Sequence, residues 1–204
     1  MTFWDKFFRE KILKILQEKR SLIDIGGGLR VLKEKGNRYD PNQEWLRPYL
    51  EKVDYKIIDP VPDYKPDIVG DIHSLPFADN SQEAIFCSAV LEHVENPFKA
   101  VEEMHRVLEP GGYLFVYVPF LYYYHAERGY YRDYWRFSED AINLLFKAFS
   151  SIEMARVRGP LATWLHISPL GRIRPLAAIF RALDRVLGKE SSRQPSGHYA
   201  FLVK

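Results

Sequence analysis

The sequence predicts an α/β fold: a mostly parallel sheet covered by helices on both faces. Short apolar runs alternate with amphipathic stretches along most of the chain. A glycine triplet, Gly26-Gly27-Gly28, breaks off the first of these runs. Acids stand where the first three runs end, at Asp24, Asp59 and Asp71. With 204 residues the chain can bury one sizeable core, and two domains would each be cramped.

Phe3, Trp4, Phe7, Phe8, Ile12, Leu13, Ile15 and Leu16 recur at helical spacing, so the chain opens with an amphipathic helix. Strands are expected at Ser21–Ile25, Tyr55–Asp59, Asp67–Asp71 and Ala84–Ala89. Asn96 is a suitable N-cap and Pro97 a suitable first residue for the next helix, whose apolar face is Phe98, Val101, Met104 and Leu108. Glu109-Pro110-Gly111-Gly112 ends it before the most strand-like run, Tyr113–Val118. Ser138 starts a helix expected to reach about Phe149, and two final strands follow at Ile152–Val157 and Tyr199–Val203. Gly36–Tyr49 and Lys189–Gly197 read as weakly ordered loops.

The composition excludes several classes. A formal net charge of +2 argues neither for a nucleic-acid binder nor for an acidic tail, and no nucleic-acid partner is expected. The lone Cys87 fits a reducing compartment, and no apolar run approaches the ~20 residues that span a bilayer. The first 20 residues mix charges with apolar residues, unlike a secretory signal, so a cytoplasmic location is expected.

Ligands of open α/β sheets bind beyond the carboxyl ends of the strands, and here that edge is acidic, with Glu92 following the fourth strand. A dinucleotide pyrophosphate would avoid such an edge. S-adenosylmethionine, with its sulfonium and ammonium, would be favoured there. Gly26, Gly27 and Gly28 let the backbone approach the ligand. Asp24 is expected to meet the cofactor directly; Asp59 is placed for both ribose hydroxyls, Asp71 for the adenine amino group, the Ile72 backbone for the adenine ring, and Ser88 for the end of the fourth strand. The NAD-type alternative lacks the spacing it needs, since Val31 occupies the last position of G-x-G-x-x-G/A.

Five segments in order carry a resemblance: Leu22–Gly28, Asp59, Gly70–Phe77, Val90–Val94 and Arg106–Gly112. Over 21–119 the chain resembles class I S-adenosylmethionine-dependent methyltransferases, especially the small-molecule and lipid branch. The resemblance implies a Rossmann-like, seven-stranded sheet with its last strand antiparallel, and S-adenosylhomocysteine as product. It also implies one domain over 1–204: a helix in 1–20, a cofactor core in 21–119, an acceptor loop in 120–137, and an insertion with a basic amphipathic helix in 159–197. Two features depart from the pattern. Leu29-Arg30 stands where relatives often carry a further glycine, and a long stretch with Asn37, Tyr39, Pro41, Trp45 and Pro48 separates Asp24 from Asp59.

The aromatic segment Tyr122–Phe137 supplies the acceptor side. Its Asp-Tyr-Trp-Arg-Phe run is similar to bacterial methyltransferases of sugars and surface glycans. Tyr124, Tyr131, Tyr134 and Arg136 are candidates to bind a small-molecule or glycan-type acceptor, with O-methylation expected. His125 is the first candidate base and His93 the second. No HExxH or paired cysteine ligands occur, so no metal is expected. The basic helix in 172–189 offers a face for an anionic membrane, a homodimer contact or a pocket cover. A non-catalytic S-adenosylmethionine or nucleotide sensor is the alternative from outside the enzymes.

Overall fold

A computed structural model of the chain describes residues 1–32 and 39–204, and the side chains of Arg172 and Arg174 lie outside that description. The helix α1 (Phe3–Glu18) opens with a capping box, Thr2 and Asp5 each bonding the other's backbone N–H. Strand β1 (Ser21–Ile25) follows, then a 3-10 turn (Pro41–Leu46), α2 (Arg47–Leu50), β2 (Asp54–Asp59), β3 (Ile68–Val69) and β4 (Gln82–Ser88). The second half runs α3 (Pro97–Val107), β5 (Leu108–Pro119), α4 (Glu139–Leu145), β6 (Ser151–Val157), α5 (Pro160–Ile167), α6 (Arg174–Val186) and β7 (Gly197–Val203).

The seven strands lie in the order β3-β2-β1-β4-β5-β7-β6. Pairings are parallel from β3 through β5, and β7 runs antiparallel between β5 and β6. The alternation of each strand divides the core by face. Ile23, Ile25, Ile85, Cys87, Leu114 and Val116 pack with Ala100, Val101 and Met104 of α3 and with Ile142 and Leu145 of α4. Leu22, Ala84, Phe86, Phe115 and Phe201 pack with Ile12, Ile15 and Leu16 of α1. Strands β1, β4 and β5 are therefore apolar on both sides, as a covered parallel sheet requires.

Several boundaries move for identifiable reasons. Residues 41–50, expected as loop, are helical because Asp40 caps the Asn42 N–H and Leu46 and Leu50 are buried. Gly36 and Asn37 of that stretch lie outside the described residues. Helix α4 stops at Leu145 rather than Phe149, and Phe146 and Phe149 turn into the core. Strand β5 begins at Leu108, where it pairs with Gln82 before the register shifts to Ala84–Tyr113 across the Pro-Gly-Gly turn. Lys189–Gly197 is tied down at its end, where the Ser196 hydroxyl donates to Val157 O at 2.9 Å.

Helices α5 and α6 form a hairpin between β6 and β7. Its hinge is a buried carboxylate: Asp184 of α6 accepts from Leu161 N at 3.0 Å and Ala162 N at 2.9 Å, the N-terminal donors of α5. Phe180 stacks on Trp164, but Ile173, Ile179, Leu183, Val186 and Leu187 are exposed. Among the described residues no helix is long and apolar enough to cross a membrane.

A clamp fixes the segment between β3 and β4. Glu103 of α3 accepts from Leu75 N at 3.0 Å and from Arg106 Nη2 at 2.8 Å. Arg106 also donates to Phe77 O, Leu75 O and Asp79. The Arg106 hydrogen bond, helped by Leu75 N–H and outweighing burial, holds the Glu103 carboxyl down to about 2. Because the folded value lies below the unfolded one, this stabilisation is present above the usual carboxylate range and is lost as pH falls through about 2. Urea unfolding of Glu103→Gln at pH 7 and pH 3 tests the clamp. The variant should be less stable at pH 7, with a smaller gap from wild type at pH 3; a gap independent of pH contradicts the assignment.

Candidate active site

The carboxyl ends of β1, β2 and β4 open onto one cavity of about 1280 Å³. Its floor includes Gly26, Gly28, Asp59, Asp71, Ile72 and Ser88, and its roof comes from 124–134. The floor depends on how β1 ends. Asp24 is wholly buried; its carboxylate accepts from Gly28 N at 2.8 Å, Leu29 N at 3.0 Å and Tyr55 Oη at 2.6 Å. Burial pushes the Asp24 carboxyl up to about 6 against the opposing pull of these three donors. Asp24 therefore shapes the glycine turn instead of meeting a cofactor, which corrects its expected role as a direct ligand.

The turn itself leaves little choice of residue. Gly26 has φ +79°, and a Cβ there would lie 2.6 Å from Val90 Cγ2. A Cβ on Gly28 would lie 2.8 Å from Ser88 Cβ. Gly27 points away from the cavity toward Ile57. Arg30 adopts φ +56°, so the position where a glycine was missed has left-handed backbone all the same, at a cost of about 1–2 kcal/mol. The Arg30 side chain is exposed and lines the cavity.

The other floor acids differ in exposure. Asp59 is buried and accepts from Val61 N at 2.9 Å while lining the cavity. Asp71 is exposed and binds His73 through both its backbone N–H and its Nδ1. Tyr64, which gave no signal in the sequence, lines the cavity beside Asp59 and stacks on Tyr130 at 5.4 Å. Tyr130 also donates to Asp63, so the roof reaches across to the β2–β3 side.

The roof is built around a 3-10 turn, Leu91–His93. The Glu92 carbonyl accepts from Tyr134 N at 2.7 Å and Trp135 N at 3.2 Å, and Trp135 Nε1 donates to Val94 O. Asp133, its side chain fully buried, accepts from His125 N and from both terminal nitrogens of Arg136. Arg136 further donates to the Tyr122, Tyr123 and Trp135 carbonyls. It does not line the cavity, so the expectation that Arg136 binds the acceptor is corrected: its donors hold the loop together. Tyr124, Tyr131 and Tyr134 do line it, with Tyr131 bonded to Glu127 and Tyr134 to Glu95.

His93 and His125, far apart in sequence, stand with ring centroids 4.7 Å apart, and both line the cavity. Glu92 lies behind them, fully buried, with its carboxylate 3.5 Å from His125 Nε2 and 3.9 Å from His93 Nε2. Burial lowers the His93 pKa. Burial would also lower that of His125, but Glu92, the Tyr123 carbonyl and Asp133 together raise it. The three side chains can each offer an atom within 4.8 Å of the others, a grouping that could hold a cation. Sequence spacing gave no hint of it.

The chain matches a methyltransferase domain family over residues 40–116. It is 53% identical over 49 residues to a demethylmenaquinone methyltransferase of Renibacterium salmoninarum, covering 24% of this chain and 21% of that protein. It is 31% identical over 101 residues to a ubiquinone/menaquinone biosynthesis C-methyltransferase of a Ruegeria species, covering 47% and 40%. The matched stretches thus span less than half of these curated relatives. A crystal structure of a methyltransferase from Archaeoglobus fulgidus superposes with TM-score 0.60 at 11% identity over 98% of this chain and 93% of that one.

The Asp24–Gly28 tie permits a direct test. Asp24→Asn should lose about 2 kcal/mol in chemical unfolding, since a buried charged acceptor of three hydrogen bonds is removed. It should also weaken ligand binding although residue 24 does not touch the cavity; wild-type stability in the variant refutes the account. Residues 40–116 thus match a methyltransferase domain, and the fold of the chain is that of the S-adenosylmethionine-dependent methyltransferases.

Proposed function

We propose that the chain binds S-adenosylmethionine along the strand ends and transfers its methyl group to a small-molecule acceptor held under the 124–134 roof. The observation that carries this reading is the single cavity in which Gly26, Gly28, Asp59 and Asp71 face Tyr124, His125, Tyr131 and Tyr134. Its volume of about 1280 Å³ exceeds that of an ordinary small-ligand pocket and leaves room for cofactor and acceptor together. The residues fit the cofactor by charge, since the floor presents carboxylates at Asp59 and Asp71 and the glycine turn admits close backbone contact. Relatives named for quinone methylation support a small-molecule acceptor.

Bound S-adenosylmethionine supplies a methyl group on a positively charged sulfur. In this reading Asp59 accepts from the ribose hydroxyls, Asp71 from the adenine amino group, the Ile72 backbone donates to the adenine ring, and Ser88 borders the reacting end. Methyl transfer is an in-line displacement, so holding the acceptor atom against the methyl carbon supplies much of the acceleration. The exposed aromatic faces of Tyr124 and Tyr134 and the half-buried Tyr131 suit a flat ring or the apolar face of a sugar. For the finer reading, a hydroxyl acceptor of glycan type, a proton must also leave. It leaves at the cluster of His125 and His93 backed by Glu92, at the boundary between roof and floor.

Calorimetry with S-adenosylmethionine and with NAD, on wild type and Asp59→Ala, tests the cofactor assignment. Wild type should bind S-adenosylmethionine and not NAD. Asp59→Ala should bind roughly ten- to a hundredfold more weakly, the worth of a charge-assisted pair of hydrogen bonds. Retention of NAD alone, or an unchanged affinity in the variant, overturns the reading. Release of S-adenosylhomocysteine with a candidate acceptor separates an enzyme from a non-catalytic sensor.

A further inference from the structure

Glu92 presents an electrostatic problem that the fold leaves open. Its side chain is 1% exposed, and neither carboxylate oxygen has a hydrogen-bond partner. A buried carboxylate without donors is among the most costly arrangements a protein can hold. The Arg136 guanidinium is engaged by Asp133 and by three carbonyls.

The two histidines face Glu92 with their acceptor side. His93 Nδ1 is 2.6 Å from the Arg132 carbonyl, which only accepts, so the ring proton sits on Nδ1. His125 Nδ1 is 3.1 Å from the Tyr123 carbonyl and 3.2 Å from the Asp133 carboxylate, again two acceptors. In the neutral rings both Nε2 atoms therefore carry lone pairs. They stand 3.9 Å and 3.5 Å from the Glu92 carboxylate. In this tautomer three lone-pair donors converge on one small volume.

We infer that Glu92, His93 and His125 form a binding site for a divalent transition-metal ion, of which Zn²⁺ best matches the ligand set. Two imidazoles and one carboxylate are a recurrent set for a metal that keeps an open position. Ligands about 2.1 Å from an ion and 90–120° apart stand roughly 3–3.6 Å from one another. The Glu92–His125 separation of 3.5 Å falls in that range, the Glu92–His93 separation of 3.9 Å is slightly wider, and all three atoms lie within 4.8 Å of one another. The Nδ1 bonds to Arg132 O, Tyr123 O and Asp133 are the outer contacts that fix the tautomer and aim of metal-bound histidines. Glu92 closes the site from behind while both histidines line the cavity, so the open position faces the acceptor. There the ion would draw down the pKa of a hydroxyl bound to it, in place of a bare imidazole acting as base.

The site also explains the architecture of 120–137. Asp133, Arg136 and Trp135 spend their hydrogen bonds on holding His125 and the Leu91–His93 turn at a fixed separation. A loop that merely covered an acceptor would not need its only buried acid for that purpose.

The test uses the whole chain, stripped with a chelator and titrated with Zn²⁺ by calorimetry. Co²⁺ follows as a visible-absorbing substitute. One equivalent should bind wild type and raise its Tm. Glu92→Gln, which keeps the shape, and His125→Ala, at the half-exposed position, should each lose at least tenfold in affinity and abolish the Co²⁺ bands. Failure of wild type to take up either ion overturns the inference, and so does uptake that both variants retain. In that case His125 is protonated and pairs with Glu92 directly. S-adenosylmethionine titrated in parallel keeps the two readings apart: its binding without metal uptake removes only the metal site, and metal uptake without its binding removes only the methyltransferase reading.

Discussion

Asp24 lies near the end of strand β1 with no exposure to solvent, and its carboxylate collects two N–H groups of the turn that follows and the hydroxyl of Tyr55 on the neighbouring strand. Those bonds bend the chain sharply away from β1, and Gly26 and Gly28 make the bend sterically possible. The turn opens the space that becomes the cavity floor. Tyr55 belongs to β2, so the same carboxylate also sets how β2, and Asp59 at its end, stand relative to the turn. The cost of burying one charge is offset only in part by three donors, and the geometry of the cofactor edge follows from those bonds.

A second buried carboxylate organises the opposite wall. Asp133 takes the two terminal guanidinium nitrogens of Arg136 and the backbone N–H of His125, which folds 120–137 back on itself. The loop is then sewn to the Leu91–His93 turn through the Glu92 carbonyl and through Trp135. The two carboxylates play parallel parts: Asp24 shapes the floor and Asp133 the roof. Glu92 differs from both because, among the described residues, neither of its oxygens has a hydrogen-bond partner. That contrast, within one small region, is what marks the site as incomplete without a cation.

The α5–α6 hairpin follows the same device at its own scale, with Asp184 capping the N-terminus of α5 from within α6. His166 of α5 packs against Tyr122 and Tyr123, so the hairpin supports the roof from behind. The exposed apolar residues of α6 lie away from the cavity. Helix α6 braces α5 through Asp184 and Phe180, and none of its described residues lines the cavity.

By itself the sequence determined the elements and their order. Alternating apolar runs, the Asn96-Pro97 helix start and the Gly26–Gly28 break are local signals, because strand period, caps and turn conformations depend on a few adjacent residues. The acids at the strand ends were equally legible, and with them the sheet edge where a ligand would bind. Which way each acid faces was not. Asp24 turns inward and Asp71 outward, a choice set by partners such as Tyr55 and His73 rather than by strand position. The Arg136 guanidinium and the Glu92–His93–His125 cluster were likewise decided only by the tertiary structure. Their members come from two loops more than 30 positions apart, and lone pairs converge only when packing brings those loops together.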